Sequence, residues 1–171
     1  MRLSGIVELI QTRLKEAPNG IFSDLRPGTE DGIPIIPCIS PAEIVNPEKL
    51  TLYLLPDYVE YKLDGKTGRR SIKSATPVKI LSYFLSVKFE DLDSDNLDVT
   101  SWNEAKRVIN FKEELDVFLL GGDYYDAGLV ISTFEPVLPA EEELKRRVYI
   151  AGTQIGFTDR CMLEQSSTPE S

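Results

Sequence analysis

The run Ile80-Leu81-Ser82-Tyr83-Phe84-Leu85-Ser86-Val87-Lys88-Phe89 decides the fold. Leu81, Tyr83, Leu85, Val87 and Phe89 share one face, while Ser82, Ser86 and Lys88 fall on the other. Such alternation is the mark of a half-buried β-strand. Past an acidic loop, Thr100-Ser101-Trp102-Asn103-Glu104 places Ser101 and Glu104 at capping-box spacing. It predicts a helix opening there and ending at Leu119-Leu120 against Gly121-Gly122. Two strand-like runs follow, Leu129 to Val137 and Arg147 to Phe157.

Upstream, Leu3, Ile6, Val7, Ile10 and Leu14 recur at helical spacing, and Pro18-Asn19-Gly20 stops that first helix. The segment 21–47 is rich in proline and reads as an insertion, with Ile33-Pro34-Ile35-Ile36-Pro37 fit only for an edge strand. Leu50 to Leu55 and Tyr58 to Tyr61 are β-rich, and Asp64-Gly65 and Thr67-Gly68 supply turn chemistry before the strong strand. The expectation is a single α+β domain over 1–160, in the order α-β-β-β-α-β-β. Its sheet is mostly antiparallel, flanked by an N-terminal and a central helix. A polar tail, 161–171, is expected to be disordered.

Composition removes several chemistries. The 171 residues include no histidine, so Ser-His and Cys-His nucleophile pairs and histidine metal ligands are absent. Cys38 and Cys161 are the only cysteines, too few for a disulfide framework, and free thiols are expected. Glu8 interrupts the first apolar run too early for a secretory leader. No apolar stretch reaches the about 20 residues that a spanning helix needs. Nineteen basic against 28 acidic side chains give a net charge of −9. That balance argues against clinging to phosphates, and suits a surface past which nucleic acid slides.

Four charged or glycine-bearing motifs invite functional readings. Gly65-Lys66-Thr67 looks like the end of a phosphate loop, but Glu60 stands where the pattern needs its first glycine. Asp91, Asp93 and Asp95 alternate like the start of a calcium loop, yet Asn96 replaces the glycine and Trp102 the closing glutamate. They read as a solvated loop whose charge favours the following helix terminus, with Asp98 closest to it. Lys62, Lys66, Arg69, Arg70, Lys73 and Lys79 form the one basic cluster, and Glu141, Glu142 and Glu143 precede a charged bend. Lys66, Arg69, Arg70 and Lys73 are candidates for an interface with an acidic surface on a neighbouring copy, and Glu141 to Glu143 for a further electrostatic contact. Consecutive glutamates on an exposed turn lack the burial that would split their pKa values for catalysis.

This order of elements resembles the tail terminator proteins of tailed bacteriophages, also called tail completion proteins. The resemblance is carried by Leu3-Ser4-Gly5-Ile6-Val7-Glu8-Leu9-Ile10, by Leu81 through Leu120, and by Tyr149-Ile150-Ala151-Gly152-Thr153-Gln154-Ile155-Gly156-Phe157. It rests on order, spacing and alternation, and the proline-rich segment departs from it. It implies a non-enzymatic virion protein, made in the host cytoplasm, that forms a six-membered ring without cofactor. The ring would cap the head-proximal end of the tail tube and meet the head connector, with DNA passing through its lumen. The expected partners are thus other copies of the chain, the tail tube protein and the connector, with no membrane. Other readings are a head-side neck ring, an acidic adaptor binding a basic partner, and a carboxylate metal enzyme using Asp91, Asp93 and Asp95.

Overall fold

The computed structural model describes residues 1–18, 22, 27–28, 32–40, 49–63, 75–88, 97–137 and 148–161. Helix α1, Leu3–Lys15, buries Ile6, Val7, Ile10 and Leu14 of the stripe that its spacing predicts and leaves Leu3 half-buried. Arg13 and Lys15 occupy its last turn, where cations favour the helix dipole. Strands β1 (Ile35–Pro37), β2 (Thr51–Leu63), β3 (Ala75–Lys88), β4 (Leu129–Val137) and β5 (Val148–Asp159) make one sheet, in the order β1-β2-β3-β5-β4. Helix α2, Leu97–Leu120, connects β3 to β4. All pairings are antiparallel except β1 with β2. The class and element order expected from the sequence are those found.

The edge strand anticipated at Ile33 to Ile36 lies at Ile35–Pro37 and runs parallel to β2, with Ile35 opposite Leu52. Pro37 is tolerated because an edge strand has one side free of ladder bonds. Leu52 N–H donates to the Pro34 carbonyl at 2.9 Å, and Cys38 N–H to that of Leu54 at 2.9 Å. The proline-rich insertion therefore contributes to the fold. It also supplies Phe22, whose ring stands 5.5 Å from Phe111 and 5.4 Å from Phe118 on α2.

Both helices cover one face of the sheet. Val108, Phe111, Leu115 and Leu119 of α2 meet Leu81, Tyr83 and Leu85 of β3, Leu52 and Leu54 of β2, and Ile155 and Phe157 of β5 in one core. Helix α2 begins at Leu97, four residues before Ser101, so the expected capping box at Ser101 and Glu104 lies inside the helix. The residues from Leu97 to Thr100 contain no glycine or proline to stop it.

The half-buried reading of β3 is also corrected. Ser82 and Ser86 are buried as well, and the face away from the helices carries a second cluster of Cys38, Tyr53, Leu55 and Ile150, with Phe84 against it. Gly152 on β5 allows this close packing: a Cβ there would stand 2.5 Å from the Tyr83 carbonyl oxygen and 2.7 Å from the Phe84 ring. No helix among the described residues is long and apolar enough to cross a membrane.

Candidate functional site

The charged residues singled out in the sequence, Lys66, Arg69, Arg70 and Lys73 with Glu141, Glu142 and Glu143, lie outside the described residues. So do Asp91, Asp93 and Asp95. The strand ends around them are described. Leu63 and Ala75, joined by 64–74, pair at one end of the sheet. Val137 and Val148, joined by 138–147, belong to the other end, where Val148 pairs with Lys88 in the register of β5 and β3. Lys79 leaves the basic cluster: it is buried, and its Nζ donates to Asp159 Oδ2 at 2.7 Å. Its partner is 80 positions away in the chain, so local charge pattern gave no sign of the pair.

Two polar clusters tie elements together. On the helix side, Tyr83 donates its hydroxyl to Asp116 Oδ1, Thr153 Oγ1 donates to the same oxygen at 2.9 Å, and Lys112 Nζ donates to Asp116 Oδ2 at 2.7 Å. This links α2 to β3 and β5. Desolvation raises the Tyr83 pKa far above its ordinary value, with the hydrogen bond to Asp116 adding to the rise. A hydroxyl so held donates and does not ionise, and Asp116 has partners on both oxygens. The cluster can anchor a helix, and it offers no free nucleophile or base.

Near the end of β5, Asp159 accepts from Lys79 and, at 3.1 Å, from the Met1 amino group. Partial burial on its own raises the Asp159 pKa, but the hydrogen bonds and charges of Lys79 and the amino group outweigh it and hold the carboxyl below its ordinary range. On the other face, Asp57 at the β2 bulge accepts from Ser82 at 2.8 Å and Gln154 at 3.0 Å. Among the described residues no group of three histidine, cysteine, aspartate or glutamate side chains could hold a metal ion.

Two surface features remain. The β2–β3 ribbon outruns the sheet: its pairing continues to Leu63 opposite Ala75, while β5 accompanies β3 only as far as Val78. Every described side chain from Asp57 to Lys62 is exposed, including Tyr58 (48 %), Val59 (40 %) and Tyr61 (61 %). Buried apolar side chains on one face normally hold a strand down; here the β2 side chains are in solvent on both faces, while Val78, Lys79 and Ile80 opposite them on β3 are buried.

The second feature is a groove of about 750 Å³ at the C-terminal end of α2, lined by Arg13, Glu113, Val117, Phe118 and Tyr124 among others. Val117 is 73 % exposed. Tyr124 forms the inner wall, packed edge-on against Phe157 with ring centroids 5.4 Å apart and donating its hydroxyl to the Leu119 carbonyl at 2.8 Å. Burial pushes its pKa up to about 12, although nearby Arg13 pulls the other way. The Arg13 guanidinium lies 4.6 Å over that ring and donates to the Asp123 carbonyl. Gly122 is required beside it, since a Cβ would fall 2.9 Å from the Tyr124 ring. The ribbon and groove were not foreseen from the sequence, although Tyr58, Val59 and Tyr61 were read as strand.

No protein-family model matches the chain. A search of curated proteins finds no match.

Proposed function

We propose that this chain is a non-enzymatic virion protein, a tail terminator that closes into a ring on the head-proximal end of a bacteriophage tail tube and joins it to the head connector. The observation that carries the reading is the end of β2, where Tyr58, Val59 and Tyr61 stand in solvent and the pairs from Tyr61 to Leu63 run past the end of β5. Exposed aromatic side chains at the end of a sheet suit contact with another subunit. A ring is built from heterologous contacts, one patch meeting a different patch on the next copy, and the end of β2 supplies one such patch.

Two further features support it. The order of two helices and five strands is the one that prompted the resemblance. A net charge of −9 favours a lumen that DNA passes without sticking. The polar clusters are committed to holding elements together, so the described residues favour no enzymatic reading.

Negative-stain imaging of the purified protein with and without preformed tail tubes tests the proposal. Closed rings, or density capping one end of each tube, are the expected result. Protein that leaves tubes bare and sits on connectors transfers the reading to a head-side neck ring, and protein that binds neither overturns both.

A further inference from the structure

Helix α2 carries apolar side chains on two sides. Val108, Phe111, Leu115 and Leu119 belong to the core beneath it. Nearly opposite them stand Trp102, Lys106, Ile109, Glu113, Val117 and Leu120, which fall within about 80° of the helix circumference at about 3.6 residues per turn. Trp102 is 60 % exposed, Val117 and Leu120 are exposed with it, and Ile109 is half-buried. The outer face of a surface helix is ordinarily polar. A line of apolar groups along it marks a contact surface.

The order of residues along this stripe is self-complementary. Trp102 and Val117 are equidistant from a point between Ile109 and Asn110, and so are Lys106 and Glu113. Turning a second copy of α2 end over end about that point sets Trp102 against Val117 and Lys106 against Glu113, each pair twice. Ile109 then lies beside its own counterpart. Lys106 and Glu113 are both exposed, and neither forms an ion pair among the described residues. A parallel alignment would bring Lys106 to Lys106 and Glu113 to Glu113, so charge selects the antiparallel one. Glu113 and Val117 also line the groove at the end of α2, together with Phe118. The groove therefore borders the stripe, and an incoming indole has an apolar seat there.

We infer that α2 is the docking surface for α2 of a second copy of this chain, in an antiparallel two-fold pair with Trp102 of each copy against Val117 of the other. Apolar contact supplies the affinity, and the opposed charges fix register and direction. The contact is isologous and closes at two copies. It stands apart from the heterologous contacts of a ring and does not rest on the ring reading.

Trp102 is the single tryptophan of the chain, so its fluorescence reports the contact. Sedimentation velocity across a dilution series measures association, and emission from the same samples shows whether Trp102 leaves water. Dimers whose formation moves the emission to shorter wavelength are the expected result. Lys106→Glu and Glu113→Lys should each weaken association about tenfold, since every dimer exchanges two attractions for two repulsions. The double variant should return to within about twofold of wild type, because the pairs are restored with their signs exchanged. Circular dichroism checks that each variant keeps the fold. A wild type that stays monomeric overturns the pairing, as does an association that leaves the Trp102 emission unchanged. So does a single variant that associates like wild type, or a double variant no stronger than the poorer single.

Discussion

Tyr83 shows how one hydroxyl joins three elements: it sits on β3, bonds Asp116 of α2, and shares that carboxylate with Thr153 of β5. Replacing it by phenylalanine removes one donor while Thr153 remains, so Tyr83→Phe is expected to cost about 1–2 kcal/mol in urea denaturation at neutral pH. The alkaline limb carries a second signature. A buried tyrosine with a raised pKa contributes stability below the ordinary value of 10.0 and loses it as pH rises, because the unfolded chain ionises first. Stability of the native protein should therefore fall as pH rises above that value, and less steeply in Tyr83→Phe. Equal slopes in the two proteins would contradict the burial of this hydroxyl.

Asp159 works in the opposite sense. Its pKa is depressed, so its contribution is present above the ordinary 3.8 and lost as pH falls through the lower folded value. Asp159→Asn should cost about 1–2 kcal/mol at pH 7 by leaving Lys79 without its partner, and the deficit should vanish in acid. Chemical denaturation at both pH values reads it directly. At Gly152 the expected cost of alanine is about 1–3 kcal/mol, because the new methyl group meets backbone and a ring that cannot both retreat.

At the scale of elements, the strands and helices carry their own periodicity, and that is why they were legible. β4 was read with its observed bounds, and the α1 stripe with its buried residues plus the half-buried Leu3. Local patterns misled where a non-local choice intervened. Ser101 and Glu104 have capping-box spacing, but the chain was already helical from Leu97. Tyr58 to Tyr61 were read as strand, and only the structure shows that their side chains stand in solvent and that β2 runs past the end of β5 from Tyr61 on. The groove could not be seen at all, since Arg13 and Asp123 that meet there are 110 positions apart. Exposed side chains bury little, so replacing Tyr58 and Tyr61 together by serine is expected to move the thermal midpoint by no more than about 2 °C, the effect of a few tenths of a kcal/mol. A large fall by calorimetry would mean that the ribbon packs on its own subunit.

For the whole molecule, charge is the lever. An assembly guided by a basic segment meeting carboxylates should weaken as salt screens it. Reversing Lys66, Arg69, Arg70 and Lys73 to glutamate together should impair ring or tube assembly with circular dichroism unchanged, and intact assembly in light scattering would sink the interface role of that segment. The two thiols offer a different view of the same body. Cys161 is exposed, while Cys38 lies buried directly after the short parallel edge strand and beneath the second apolar cluster. A thiol reagent will consume one at once and must wait for the other. When reclosing outpaces modification, that delay measures the free energy needed to peel the edge of the sheet. The chain thus carries its own clock for fraying at β1. Its rate, compared before and after subunits assemble, would report whether assembly tightens that margin.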